Sequence, residues 1–253
     1  MIKDIANTLD QAAASGTSVE QISLSQSITL PEAYEIQKIS IQQRLDRGEK
    51  LVGYKMGFTS RAKMLQMGVD DLIWGRLTDA MQVNMDQEID IANYVHPRAE
   101  PEIAFLLNKP LAGIVSKEEA LAAVEAIAPA IEIIDSRYKN FKFSLEDVVA
   151  DNSSSSSFVL GEWQSKDSDI DGLLMNLQVD NEVVASGSSK DILDHPINSL
   201  VEAARCIAAA GEELKAGQII LAGAATAAVA LEPNQTISAH VANLGSCQFR
   251  TKA

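Results

Sequence analysis

The spacing of apolar residues predicts two helices near the start of the chain. Ile2, Ile5 and Leu9 recur at helical spacing. A capping box at residues 29–32, in which Thr and Glu stand three positions apart with Pro between them, opens a second helix. We therefore expect residues 1–50 to form a helical N-terminal part packed on the main domain.

From residue 51 the pattern changes to short apolar runs of strand length, separated by turn residues and a few helical segments. Strands are expected at residues 51–57, 89–94, 99–107, 128–134, 157–161, 173–179, 182–186, 218–222, 236–241 and 246–251, and helices at 60–67, 120–127 and 196–210. Many short strands with few helices indicate the α+β class. We expect residues 51–253 to form one unit built on a curled mixed β-sheet roll.

Three glutamates stand in otherwise apolar strand segments. Glu100 and Glu102 point to the same face, because a strand alternates its faces with a period of two. Glu132 is flanked by isoleucines, and burying a carboxylate is costly unless it is paired. Three carboxylates without a nearby His or Cys suit Mg²⁺ or Mn²⁺. The alternative is that each glutamate is salt-bridged to Arg98, Arg137 or a lysine, or lies on a solvated face.

Two further charged residues are candidates for chemistry. Lys55 is an isolated charge in an apolar, glycine-flanked strand, where it could donate a proton or bind a carboxylate; the alternative is a surface lysine whose ammonium reaches solvent. Asp79 lies in a turn-like segment, residues 75–81, and its local sequence favours a turn residue. The serine run at residues 153–157 likewise favours a polar turn over a binding loop.

Composition excludes several function classes. The net charge of −14 argues against binding to nucleic acid or to an anionic membrane surface, since both need clustered Lys and Arg. The chain lacks GxGxxG, GxxxxGK[ST] and GxSxG motifs, which removes the main support for dinucleotide, nucleoside triphosphate and serine-hydrolase functions. Its two cysteines form no motif, and a reducing cytoplasm is the simplest setting.

At this point several segments resemble the fumarylacetoacetate hydrolase superfamily. They are residues 55–60 (KMGFTS), 71–79 (DLIWGRLTD), 100–102 (EPE), 130–137 (AIEIIDSR), 149–152 (VADN) and 217–223 (GQIILAG). More narrowly, they are similar to the branch of decarboxylases and hydratases that act on 2-oxo acids. The sequences of residues 55–81, 135–144 and 222–230 resemble the decarboxylases of that branch most.

The resemblance implies a Mg²⁺- or Mn²⁺-dependent carbon–carbon lyase with the curled β-roll fold of the superfamily. Its metal ligands match Glu100, Glu102 and Glu132, and Lys55 and Asp79 are implied near the substrate. Further candidate substrate-binding residues are Trp74, Arg76, Ser155, Ser157 and Thr226.

The implied reaction converts the dicarboxylate 2-oxo-3-hexenedioate to 2-hydroxypenta-2,4-dienoate and CO₂ in the meta-cleavage catabolism of aromatic compounds. One alternative is the hydratase that adds water to this dienoate (2-keto-4-pentenoate hydratase). An alternative of another class is a non-catalytic partner subunit of a hydratase. The resemblance also suggests that a decarboxylase of this kind associates with its hydratase.

Overall fold

The computed structural model describes residues 1–60 and 71–253. Within these ranges the helices are α1 (Ile2–Ser15), α2 (Leu30–Asp46), α3 (Lys117–Ala122), α4 (Leu145–Ala150) and α5 (Pro196–Ala209). The predicted capping box opens α2: the Thr29 hydroxyl accepts a hydrogen bond from the backbone N–H of Glu32, whose carboxylate accepts one from the N–H of Thr29. None of the described helices is long and apolar enough to cross a bilayer.

The described strands form two sheets. The strands are β1 (Leu51–Gly57), β2 (Ile73–Thr78), β3 (Gln82–Val83), β4 (Glu88–Asp90), β5 (Arg98–Leu107), β6 (Val124–Ile134), β7 (Ser155–Leu160), β8 (Gln164–Ser165), β9 (Leu174–Val179), β10 (Glu182–Ser188), β11 (Ile219–Leu221), β12 (Val229–Ala230), β13 (Thr236–Val241) and β14 (Gly245–Lys252). The larger sheet has the order β2-β1-β11-β5-β6-β7-β3, with β12 paired to β5 and β8 to β6. The smaller sheet has the order β10-β9-β13-β14-β4.

Both sheets are mixed. In the larger one, β1 runs parallel to β11, whereas β5 is antiparallel to both β11 and β6. The two sheets pack face to face through fully buried side chains that include Ile131 and Ile133 on β6 and Ile237 and Phe249 on the smaller sheet. The larger sheet curls into a half-barrel, which confirms the predicted α+β roll.

The helical N-terminal residues share a core with the larger sheet. Ile5 and Leu9 of α1 and Ile36 of α2 are buried in one cluster with Ile73 of β2 and Val149 of α4. This packing buries the apolar faces of the helices that the spacing predicts, and burial of such faces stabilises amphipathic helices in proteins. The proposed division of the chain near residue 50 stays a prediction.

Several local predictions are wrong. The helix expected at residues 120–127 ends at Ala122, because Ala126 and Ile127 pair with Leu106 and Phe105 as the start of β6. Pairing with a long neighbouring strand outweighs the helix propensity of this alanine-rich segment. The strand expected at residues 89–94 is confined to β4.

The turn-like segment at residues 75–81 is largely a strand. Strand β2 is buried along its whole length and pairs antiparallel with β1, and only a short 3₁₀ turn from Asp79 to Met81 follows it. The helix expected at residues 60–67 lies outside the described residues from position 61 onward.

We expect Gly53→Ala to destabilise the protein by about 3 kcal/mol, because β1 approaches β11 so closely that a methyl group on Gly53 would overlap the backbone of Ile219. Gly113→Ala is the control: no atom would meet its methyl group, and only the cost of its positive φ, about 1 kcal/mol, remains. Urea unfolding of both variants measures the difference. Equal losses would show that the close approach of β1 to β11 is not rigid.

Candidate metal centre

Antiparallel pairing of β5 with β6 brings the three glutamates together. Glu100 stands directly opposite Glu132, and Glu102 follows two residues later on the same face of β5. Carboxylate oxygens of all three lie within 4.8 Å of one another. Glu102 and Glu132 are fully buried, and Glu100 is 9% exposed. The predicted convergence of these residues is therefore present in the fold.

Lys55 reaches the same cluster from β1, which is separated from β5 by β11. Its side chain is buried, and its Nζ atom lies 3.0 Å from Oε2 of Glu132. The two groups therefore form a buried ion pair. The lysine pairing considered as an alternative for the glutamates is thus correct for Glu132.

The crowding of charges shifts the ionisation of the site. Burial raises the pKa of Glu102 well above its ordinary value, and the charge of Glu132 raises it further, while Lys55 acts in the opposite direction. Burial lowers the pKa of Lys55, but the charges of Glu132, Glu100 and Glu102 outweigh it, so that this pKa is raised. The lysine is therefore held in its charged form, and it compensates only part of the negative charge.

Oxygen atoms of the cluster are left open for a cation. One oxygen of Glu102, Oε2, accepts a hydrogen bond of 2.7 Å from the backbone N–H of Gly223. The other oxygen of Glu102, Oε1, has no hydrogen-bond partner in the described part of the chain, and neither has Oε1 of Glu132. Buried carboxylate oxygens without partners are rare. The donor set consists of carboxylates alone, which fits a hard divalent cation such as Mg²⁺ or Mn²⁺.

A cavity of about 290 Å³ opens beside the cluster. Lys55 and Glu100 line it on one side, and apolar side chains line much of the rest: Phe58, Ile73, Ile134, Phe141, Phe143 and Val148. Arg98 also lines it, with its guanidinium 4.2 Å from the centre of the Phe141 ring. The site therefore combines a charged floor with largely apolar walls.

Trp74 and Arg76 do not join this cavity. Lys55 pairs with Gly75 across the β1–β2 ladder, so the neighbouring side chains of Trp74 and Arg76 point to the opposite face of the sheet. There they line a separate cavity of about 390 Å³. Arg76 lies 4.7 Å from the Trp74 ring and is bonded to Glu212. The structure thus places these two residues outside the cavity beside the glutamates, and their contact with substrate stays a prediction.

Asp79 is also remote from Lys55. It is exposed at the end of β2, where its carboxylate accepts a hydrogen bond of 2.9 Å from the backbone N–H of Lys50. Gly75, the partner of Lys55, lies four residues earlier, which corresponds to about 13 Å along a strand. The structure therefore places Asp79 away from Lys55, and the Asp79 carboxylate holds the backbone just before β1.

The two serines predicted to bind substrate do not line the cavity beside the glutamates, because a local turn places them elsewhere. Ser155 and Ser157 line a different cavity, of about 190 Å³, next to α1 and α2, and the Ser157 hydroxyl lies 2.9 Å from that of Tyr94. Ser153 and Ser154 line the metal cavity instead. Thr226 lies beside that cavity, between the lining residues Ala224 and Ala227, and its hydroxyl donates to the backbone of Ala227.

A second group of candidate metal ligands differs from the glutamate cluster in the partners of its side chains. It consists of Asp71, Glu202 and Cys206. Arg205 bonds to Asp71 and to Glu202 at 2.6 Å in each case, and burial raises the pKa of the Cys206 thiol to about 11. A guanidinium already compensates these two carboxylates, and a protonated thiol is a poor ligand. The cluster at Glu100, Glu102 and Glu132 is the better metal site.

The ion pair between Lys55 and Glu132 should be strongly coupled in metal-free protein. We expect Lys55→Met to lower the free energy of unfolding by about 3 kcal/mol or more, because it leaves the buried Glu132 carboxylate uncompensated. The double variant Lys55→Met with Glu132→Gln should recover much of that loss. Urea unfolding in the presence of EDTA measures both, and additive losses in the double variant would contradict the coupling.

Comparison with known proteins agrees with this geometry. Residues 59–252 match the family described as "Fumarylacetoacetate (FAA) hydrolase C-terminal". The chain is 57% identical to a 4-oxalocrotonate decarboxylase from Pseudomonas sp. over 250 residues, covering 99% of this chain and 98% of that protein. It is 33% identical to a 2-keto-4-pentenoate hydratase from Paraburkholderia xenovorans over 248 residues, covering 96% and 92%.

A solved structure shares the whole fold. The 4-oxalocrotonate decarboxylase from Pseudomonas putida G7, complexed with magnesium and adipate, superposes with a TM-score of 0.95 at 35% identity, covering 99% of this chain and 97% of that one. The same enzyme has also been solved with calcium and acetate. On the strength of the matched residues, the near full-length identity and the shared fold, this chain belongs to the fumarylacetoacetate hydrolase family.

Proposed function

We propose that this protein is a divalent-metal-dependent carboxy-lyase that converts 2-oxo-3-hexenedioate to 2-hydroxypenta-2,4-dienoate and CO₂. The observation that carries the proposal is the buried cluster of Glu100, Glu102 and Glu132 with Lys55 at its edge and an apolar cavity beside it. The names of the relatives with 57% and 40% identity support decarboxylation rather than another reaction of the family. The adipate bound by the solved relative is a six-carbon dicarboxylate, which supports a substrate of that class.

Glu100, Glu102 and Glu132 would hold the cation, and Mg²⁺ or Mn²⁺ fits their all-oxygen donor set. When bound, such an ion supplies Lewis-acid polarisation of a carbonyl oxygen, here that of the 2-oxo group. The magnesium in the solved relative supports this assignment.

Lys55 would stabilise and protonate the oxygen of the 2-oxo group. Loss of CO₂ breaks the bond between C5 and C6, and the electron pair shifts through the conjugated chain to the oxygen on C2. The ammonium of Lys55, kept protonated by the surrounding carboxylates, can stabilise that developing negative charge and donate the proton that completes the enol. Its position against Glu132 fixes where the proton is available.

The walls of the cavity would favour the loss of CO₂. Phe58, Phe141, Phe143 and Val148 are among the residues that line the cavity, and they would limit the access of water. Limited hydration of the leaving carboxylate lowers the cost of its conversion to neutral CO₂. The same walls would keep water from the reactive carbons, which disfavours hydration.

The second candidate is the hydratase reaction, which one specific observation keeps open: hydratases are 33% identical to this chain over nearly its full length. The third, a non-catalytic partner subunit, requires that the glutamate cluster be dispensable. From the resemblance and from the two free, buried cysteines, we further propose a cytoplasmic location and association with a hydratase.

The three functions differ in a direct assay. With Mg²⁺, the purified protein should release CO₂ from 2-oxo-3-hexenedioate and leave the absorbance of 2-hydroxypenta-2,4-dienoate unchanged. Consumption of the dienoate without CO₂ release would establish the hydratase instead. Absence of both activities in folded, metal-loaded protein would favour the partner-subunit function.

Glu102→Gln should abolish metal-dependent turnover while leaving the fold intact. The substitution removes one of the three charges that would hold the cation, so we expect Mg²⁺ affinity by calorimetry to fall at least about 10-fold, with turnover lost at moderate metal concentration. Glu125→Gln, at an exposed position of the same strand as Glu132, is the control and should change neither. Full activity with a retained metal requirement in Glu102→Gln would remove Glu102 from the site.

A further inference from the structure

Arg98 is the charged residue of the cavity that the proposed chemistry does not use. Its guanidinium lies against the face of Phe141, 4.2 Å from the ring centre, and makes neither an ion pair nor a hydrogen bond with any described residue. Stacking of this kind holds the planar group while leaving its five N–H donors available. A half-buried arginine that forms no ion pair with a described residue has donors available for an anion.

The strand places Arg98 in phase with the glutamates. Arg98, Glu100 and Glu102 alternate along β5, so all three project to the face that bears the cavity. Two residues of strand separate the backbone of Arg98 from that of Glu100 by about 7 Å. A molecule with one end at the glutamates can therefore extend along the cavity toward Arg98.

A buried serine also lines this cavity. Ser154 is buried, lines the cavity, and its hydroxyl has no hydrogen-bond partner in the described ranges. The left-handed turn from Asn152 to Ser154 places it there, and the Ser154 carbonyl accepts a hydrogen bond of 2.8 Å from the backbone N–H of Asp135. An unpartnered buried hydroxyl is costly unless a ligand completes its bonding.

The balance of charge points to an anionic group at this end. A divalent cation at the glutamates would add to the positive charge of Lys55, which is already paired with Glu132. Arg98 lines the same largely apolar cavity and has no ion pair with a described residue. A 2-oxo acid with a single carboxylate would leave that charge unpaired, whereas a 2-oxo diacid supplies its partner.

From these observations we infer that Arg98 and Ser154 bind the distal carboxylate of the substrate, and that they make the enzyme select 2-oxo diacids over 2-oxo monoacids. This inference rests on the proposed function, because it takes the 2-oxo end to lie at the glutamates. Arg98 acts in binding: its bond to the carboxylate exists before CO₂ leaves and is lost with it, so it stabilises the bound substrate rather than the transition state.

Calorimetry with two saturated analogues tests the inference without turnover. In the presence of Mg²⁺, 2-oxoadipate and 2-oxohexanoate share the 2-oxo acid end and differ in whether a carboxylate or a methyl group stands at C6. Wild-type protein should bind the diacid about 10- to 100-fold more tightly. Arg98→Gln should abolish that preference, Arg98→Lys should retain part of it, and Ser154→Ala should reduce it severalfold.

The control is Arg250→Gln, at an exposed position on β14, which should keep the full preference. Thermal unfolding of each variant checks that the fold persists. Equal binding of the two analogues by wild-type protein, or an unchanged preference in Arg98→Gln, would overturn the inference while leaving the metal centre standing. If neither analogue binds in the presence of Mg²⁺, the proposed function fails together with it.

Steady-state kinetics gives a second readout. Arg98→Gln should raise KM for 2-oxo-3-hexenedioate about 10- to 100-fold without lowering kcat, because the lost interaction belongs to the ground state. A fall in kcat at unchanged KM would assign Arg98 to the chemical step and contradict the binding role.

Discussion

The repulsion among three buried carboxylates is the constraint on which the rest of the site depends. Glu102 and Glu132 are fully buried, and their oxygens and those of Glu100 lie within 4.8 Å of one another. Lys55 is paired with Glu132, and burial of carboxylates without compensation would protonate them or destabilise the fold. A divalent cation resolves the conflict, and the open oxygens of Glu102 and Glu132 are where it would bind.

The sheet order makes this crowding unavoidable. Strands β1, β11, β5 and β6 are neighbours, so residues far apart in the chain are fixed at adjacent positions on one face. The close approach at Gly53 draws β1 against β11, and the N–H of Gly223, just beyond β11, orients Glu102. The paired strands of the larger sheet therefore carry the charged residues of the site. The cavity walls come instead from irregular segments, such as the 3₁₀ turn Lys139–Phe141, whose phenylalanine supports Arg98.

The sequence is most informative where a local rule decides the geometry. Period-two alternation suffices to place Glu100 and Glu102 on one face, and the apolar neighbours of Glu132 suffice to bury it. The same alternation puts Arg98 in phase with them, so the sequence also carries the signal for this residue. What no local rule provides is the register between strands, which sets Glu132 opposite Glu100.

The register between strands also explains why some predicted site residues lie away from the cavity. Trp74 and Arg76 flank the partner of Lys55, and this puts them on the other face of the sheet. Asp79 follows the end of a strand that composition had suggested was a turn. In the serine run, three consecutive left-handed residues from Asn152 to Ser154 bring Ser154 to the cavity in place of Ser155 and Ser157, and nothing in the sequence distinguishes these serines.

The central claim is that the three glutamates bind one cation, and anomalous diffraction from crystals soaked in Mn²⁺ tests it most directly. We predict a single strong peak within about 2.1 to 2.3 Å of an oxygen from each of Glu100, Glu102 and Glu132. Absence of a peak there, or a peak at Asp71, Glu202 and Cys206 instead, would contradict the account.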